Sequence, residues 1–99
     1  VTGGLFENFS VRNPVNVGVQ LVANGNYTCS WNTFINLTIE TLSGGKTALW
    51  LSGTAGNGNA CHNTFITTQI NIVGSQNGIY VGGCGSNNFY MTYILPIHQ

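Results

Sequence analysis

The chain has 99 residues, which bounds it to one domain. Only Glu7, Arg12, Glu40 and Lys46 are charged, 4% of the residues against roughly 25% in an ordinary soluble domain, and the net charge is zero. Two isolated cations exclude a phosphate-backbone reader, which needs several clustered Lys or Arg, and equally a polybasic membrane-surface segment. No apolar run approaches the roughly 18 residues of a membrane span.

Asn, Gly, Ser and Thr take the place of the missing charge. A neutral polar surface suits stacked β-structure, where like charges on adjacent strands would repel. The chain begins at Val1 and carries no basic-plus-apolar leader, so it reads as a processed chain or an excised fragment.

Taken in chain order, the elements repeat. Gly4-Leu5-Phe6-Glu7-Asn8-Phe9-Ser10-Val11 opens the chain, followed by Gly18-Val19-Gln20-Leu21 and then Cys29. The second copy is Asn32-Thr33-Phe34-Ile35-Asn36-Leu37-Thr38-Ile39, then Ala48-Leu49-Trp50-Leu51, then Cys61. The third is Asn63-Thr64-Phe65-Ile66-Thr67-Thr68-Gln69-Ile70, then Gly78-Ile79-Tyr80-Val81, then Cys84. A last partial copy runs Asn87-Asn88-Phe89-Tyr90-Met91-Thr92-Tyr93-Ile94. The key Phe recurs at 6, 34, 65 and 89, in steps of 28, 31 and 24 residues, and an aliphatic follows each one five positions later.

Each copy holds short β segments divided by Gly/Asn/Ser turns such as Ser43-Gly44-Gly45 and Gly74-Ser75-Gln76-Asn77-Gly78. One copy cannot bury its apolar side alone. Stacking the next copy about 4.8 Å away buries it and pairs its backbone. The spacing therefore predicts an all-β fold: a right-handed, single-stranded parallel β-helix (a solenoid) of about three to four coils. One domain spans residues 1–99, with coils at about 3–31, 32–62, 63–86 and 87–95.

Equivalent residues then stand in columns. The Phe and aliphatic columns point inward. The column Asn32, Asn63 and Asn87 lies at a bend, where side-chain amides hydrogen-bond along the stack and where Asn tolerates a left-handed backbone. The distance from the Leu21, Leu51 and Val81 position to the next Cys is eight, ten and three residues. Val22 to Thr28 and Ser52 to Ala60 are thus expected to bulge out on one side, which in solenoids is often the binding face.

At this point the residues look like a family. Asn63-Thr64-Phe65-Ile66, and Asn77-Gly78-Ile79-Tyr80-Val81-Gly82-Gly83-Cys84 followed by Asn87-Asn88-Phe89, resemble coils of the pectin-lyase-like superfamily. Within it they are most similar to phage tailspike and appendage β-helices. The resemblance covers about Gly3 to Ile94. It implies a parallel β-helix; the superfamily includes polysaccharide lyases, glycoside hydrolases and non-enzymatic adhesins. No catalytic motif of the family matches residue by residue, so no catalytic residue is carried over.

The residues that could do chemistry are few. Glycoside hydrolysis usually needs two carboxylates facing one bond, and Glu7 and Glu40 fall in different columns, with no Asp in the chain. Glu40 reads as a solvated edge charge. A lyase of the calcium-dependent kind would need clustered acidic ligands and a basic proton acceptor, which are missing. Cys29, Cys61 and Cys84 fall at one corner of successive coils. A bridge Cys61–Cys84 or Cys29–Cys61 is geometrically allowed, although a buried stack of free thiols is the plainer reading. His62 and His98 lack ligand spacing with them, so neither a metal nor a cofactor is expected. Sequons at Asn8, Asn26 and Asn36 matter only if the source glycosylates secreted proteins.

The aromatic residues carry more. In the strand Gly-h-x-h the middle residue faces outward, which places Gln20, Trp50 and Tyr80 on one outer face. Met91 and Tyr93 face outward by the same alternation. These five residues are the candidate subunit or glycan contacts, since Trp and Tyr combine apolar area with a polar tip. The expected function is a structural or adhesion segment of a phage tail spike or similar extracellular or virion assembly, contacting host-surface polysaccharide. A homo-oligomeric partner or neighbouring protein would cap its open strand edges. The competing reading, a polysaccharide-degrading lyase or hydrolase domain, rests on fold resemblance alone. Ice binding ranks last, because Thr33, Thr64, Thr67 and Thr68 do not continue into every coil.

Overall fold

A computed structural model describes residues 2–23, 28–41, 47–53, 61–72, 77–82 and 86–96. They form seven strands: β1 (Leu5–Arg12), β2 (Val17–Ala23), β3 (Thr33–Glu40), β4 (Thr47–Gly53), β5 (Thr64–Ile72), β6 (Asn77–Gly82) and β7 (Asn88–Pro96). There is no helix among the described residues. The odd-numbered strands make one sheet in the order β1-β3-β5-β7, the even-numbered ones a second in the order β2-β4-β6, and every neighbouring pair is parallel. The chain therefore passes from sheet to sheet and returns each time one strand further along.

The repeat steps are the register offsets. Phe6 pairs with Phe34, Phe34 with Phe65 and Phe65 with Phe89, and their rings stack at 4.9, 4.7 and 4.8 Å within 15° of parallel. That spacing is the distance between hydrogen-bonded strands, so ring and backbone columns share one period. Val11, Ile39, Ile70 and Ile94 form the second inward column. Across from it stand the small residues Gly18, Ala48 and Gly78. A Cβ on Gly18 would come within 2.5 Å of Ile39 Cγ2 and the Ala48 carbonyl oxygen. The sheets approach that closely because this column has almost no side chain. Leu21, Leu49 and Leu51 of one sheet and Phe34, Leu37, Ile39, Phe65 and Ile70 of the other form a single buried core.

Phe34 and Ile39 are five residues apart, an odd number, so strict alternation would put them on opposite faces. One left-handed residue in each long strand resets the phase: Asn8 (φ 53°), Asn36 (59°), Thr67 (56°) and Met91 (52°). The register skips these four, pairing Glu7 with Ile35 and then Phe9 with Leu37, and likewise onward. All four strands thus bend at the same place.

The bend before the Asn column differs from expectation. The left-handed residues are Gly3, Trp31, His62 and Ser86, one position earlier than the asparagines. Turning there sends the amides of Asn32 and Asn63 into the core, where they are 1% and 0% exposed. The Gly4 N–H donates to Asn32 Oδ1 (2.8 Å), and the Asn32 N–H and Nδ2 both donate to Asn63 Oδ1 (3.0 Å). The Asn63 N–H and Nδ2 donate to Asn87 Oδ1 at 3.0 and 3.1 Å. The amide ladder expected from the sequence is present.

The projected bulges are shorter than expected at their starts. Val22 and Ala23 still belong to β2, and Ser52 and Gly53 to β4, because Val22 pairs with Ser52 and Ala23 with Gly53. Residues 24–27 and 54–60, which make up most of both insertions, lie outside the described residues.

Candidate functional site

The outer face of the three-stranded sheet is set by the alternation from Leu49 to Leu51. Leu49 and Leu51 are fully buried, so Trp50 between them points the other way. The register sets Gln20 beside Trp50 and Trp50 beside Tyr80. The indole and phenol rings meet at 5.0 Å and 60°, a tilted contact of the kind aromatic pairs favour. Gln20 and Tyr80 are exposed, and Trp50 is half-buried. The Tyr80 ring lies over Gly82, whose Cβ would come within 2.9 Å of it. Trp50 Nε1 is buried and has no hydrogen-bond partner among the described residues.

Met91 and Tyr93 are exposed, but they stand on β7 in the other sheet. The five predicted contact residues therefore divide into a column of three and an edge pair. Simple alternation also missed Tyr90, which is 55% exposed because the left-handed Met91 puts two successive side chains outside.

A second aromatic pair escaped the sequence reading. Trp31 and His62 stack at 4.4 Å and 8°, both exposed and both left-handed. The signal was available: each immediately precedes the Asn of its repeat. On the side of Trp31 away from His62 the equivalent residue is Gly3, and a Cβ there would meet nothing within 4 Å.

The carboxylates stay apart. Glu7 is exposed on β1 and shares the column of Ile35, Ile66 and Tyr90. Glu40 is four register pairs along, opposite Arg12, whose Nε donates to Glu40 Oε1 at 3.0 Å. The edge charge expected at Glu40 is thus one half of an exposed cross-strand ion pair. Ser10, Val11 and Thr38 join that pair around a shallow hollow of about 330 Å³. Lys46 and His98 lie outside the described residues.

The thiols do not form a free stack. Cys29 is a buried free thiol and Cys61 is disulfide-bonded, so the bridge is not Cys29–Cys61. Cys84 lies outside the described residues. No group of three or more His, Cys, Asp or Glu able to hold a metal occurs among the described residues. Comparison of the chain with protein-family models, with curated proteins and with solved structures returns no match.

Proposed function

We propose that this chain is a segment of right-handed parallel β-helix with a structural and adhesive role in an extracellular or virion assembly of the phage-tailspike kind. The observation that carries the reading is the shared register of two unlike columns. Phenylalanine rings and asparagine amides advance together, one strand at a time, in a chain that alternates between two parallel sheets. Parallel crossovers within one sheet are right-handed in nearly all proteins, which supplies the hand. The kinship to the pectin-lyase-like superfamily is part of the same proposal and rests on the repeat phrases.

The outer column Gln20, Trp50 and Tyr80 is the proposed flank contact, to a partner subunit or a surface glycan. A Trp beside a Tyr on an otherwise neutral face offers apolar area with polar tips, as contact surfaces do. The degradative alternative gains nothing from the geometry, since Glu7 and Glu40 do not face a common space. The test is binding of the protein to immobilised bacterial capsular and lipopolysaccharide glycans, alongside Trp50→Ala and Tyr80→Ala. Retention of wild type and at least tenfold weaker retention of both variants supports the flank. Equal behaviour of all three, or product release from any glycan, sinks it.

A further inference from the structure

We propose that the corner at Trp31 is a binding site for a neutral pyranose ring, which stacks on the indole face turned away from His62, in the space that Gly3 leaves open. The site is separate from the column of Gln20, Trp50 and Tyr80. It rests on the adhesive reading and supplies that reading with a place where a sugar ring is held.

The equivalent corner residues Gly3, Trp31, His62 and Ser86 all take the left-handed backbone. Glycine adopts it freely and His is enriched there, but a bulky Trp is an outlier. Trp31 gains little packing in return. It is 64% exposed, and its one ring contact among the described residues is the stack on His62 at 4.4 Å and 8°. Stability therefore does not account for an indole at this corner. Backbone strain kept without a packing reward marks a functional residue. The free face of the ring looks along the stack toward Gly3, where a Cβ would meet nothing within 4 Å.

The space has the thickness of one ring. Successive strands lie about 4.8 Å apart, so Gly3 holds open one strand spacing beside the indole. This does not depend on where the coils begin. A coil before Gly3 would set its own corner residue two strand spacings, about 9.6 Å, from Trp31. A ring in van der Waals contact on both sides, at roughly 3.5–4.0 Å each, needs less than that. The rim selects the kind of ring. No charged side chain lies within three positions of Gly3, Trp31 or His62 in the chain, so neither an acidic sugar nor a cation is favoured. The Thr2 and Thr28 hydroxyls, both exposed, meet at 3.1 Å. Thr2 adjoins Gly3, and Thr28 lies three residues before Trp31. A hydroxyl both donates and accepts, so this pair has capacity left for the hydroxyls of a ligand. A pyranose meets both requirements, with a flat C–H face for the indole and hydroxyl groups at its edge.

The test is a nuclear magnetic resonance titration of the isotope-labelled chain with methyl α-D-glucopyranoside, methyl α-D-galactopyranoside and methyl α-L-rhamnopyranoside, each to high millimolar concentration. The indole Nε1–H signals of Trp31 and Trp50 are followed, and Trp31→Ser, which installs the residue found at 86, assigns them. At least one sugar should shift the Trp31 signal saturably. Gly3→His fills the space with the residue that already covers the other face of Trp31, and should raise the half-saturating concentration at least tenfold. No saturable shift at Trp31 with any of the sugars, an undiminished response in Gly3→His, or saturation at lower concentration with benzyl alcohol than with any sugar overturns the proposal. Should Gly3→His lose its β-type circular dichroism, Gly3→Asn takes its place, since Asn also tolerates the left-handed backbone. Retention on immobilised glycans that depends on Trp50 and Tyr80 while Trp31 stays silent sinks the corner site and leaves the adhesive reading standing.

Discussion

At the scale of single residues, Asn63 holds the most connections. It is fully buried, accepts two donors from Asn32, donates twice to Asn87 and once to the Cys29 carbonyl. Asn63→Ala removes the four bonds made by the Asn63 side chain, leaves the Asn63 N–H on Asn87 Oδ1, and takes from the Asn32 N–H and Nδ2 the acceptor they share in the core, Nδ2 keeping its contact with Cys29 Sγ. Each buried donor deprived of its acceptor costs about 1–3 kcal/mol, so the variant should lose about 2–5 kcal/mol, read from its urea midpoint at unchanged m-value. A loss below about 1 kcal/mol would show that water replaces the ladder and that the amides are not a structural spine. The thiols separate at the same scale. Iodoacetamide in denaturant without reductant should modify Cys29 and spare Cys61, and in native buffer should modify neither quickly. Peptide mapping that finds Cys61 alkylated without reductant would contradict the disulfide.

At the scale of the element, the bend inside each long strand explains both what the sequence disclosed and what it hid. The recurrence of Phe and aliphatic disclosed the strands and their register, since residues that pack in one column must recur in one order. The left-handed residues at 8, 36, 67 and 91 were not legible. They are Asn, Asn, Thr and Met, and nothing in that set marks a shared backbone state; the odd spacing of five was the only trace. The ladder position was readable because three of its four members are Asn, but the turn before it holds Gly, Trp, His and Ser. Trp31 and His62 were overlooked as a pair for that reason. Thr67 is the costly member of the mid-strand set, because a β-branched side chain resists the left-handed region. Thr67→Asn installs the residue found at 8 and 36, where Asn36 Nδ2 already donates to Asn8 Oδ1 at 2.9 Å. It should raise stability by about 0.5–1 kcal/mol, whereas Thr67→Val should lower it, as chemical denaturation would show. Equal effects from both would mean that the bend at 67 is unstrained. Phe65→Ala tests the ring column in turn. Phe65 is fully buried between Phe34 and Phe89, and its truncation should cost about 3–5 kcal/mol.

At the scale of the whole molecule, the architecture is close to one-dimensional: each strand pairs only with its equivalents one step before and after. Stability in such a system is a sum of local terms and neighbour interfaces, so the interior is held from two sides and the ends from one. The burial follows that rule. β3, β4 and β5 contain most of the fully buried side chains, while β1 and β7 expose Leu5, Phe6, Tyr90, Met91, Tyr93, Ile94 and Leu95. Amide hydrogen exchange should therefore be slowest in peptides covering β3 and β5 and fastest in those covering β1 and β7, since protection tracks the free energy of local opening.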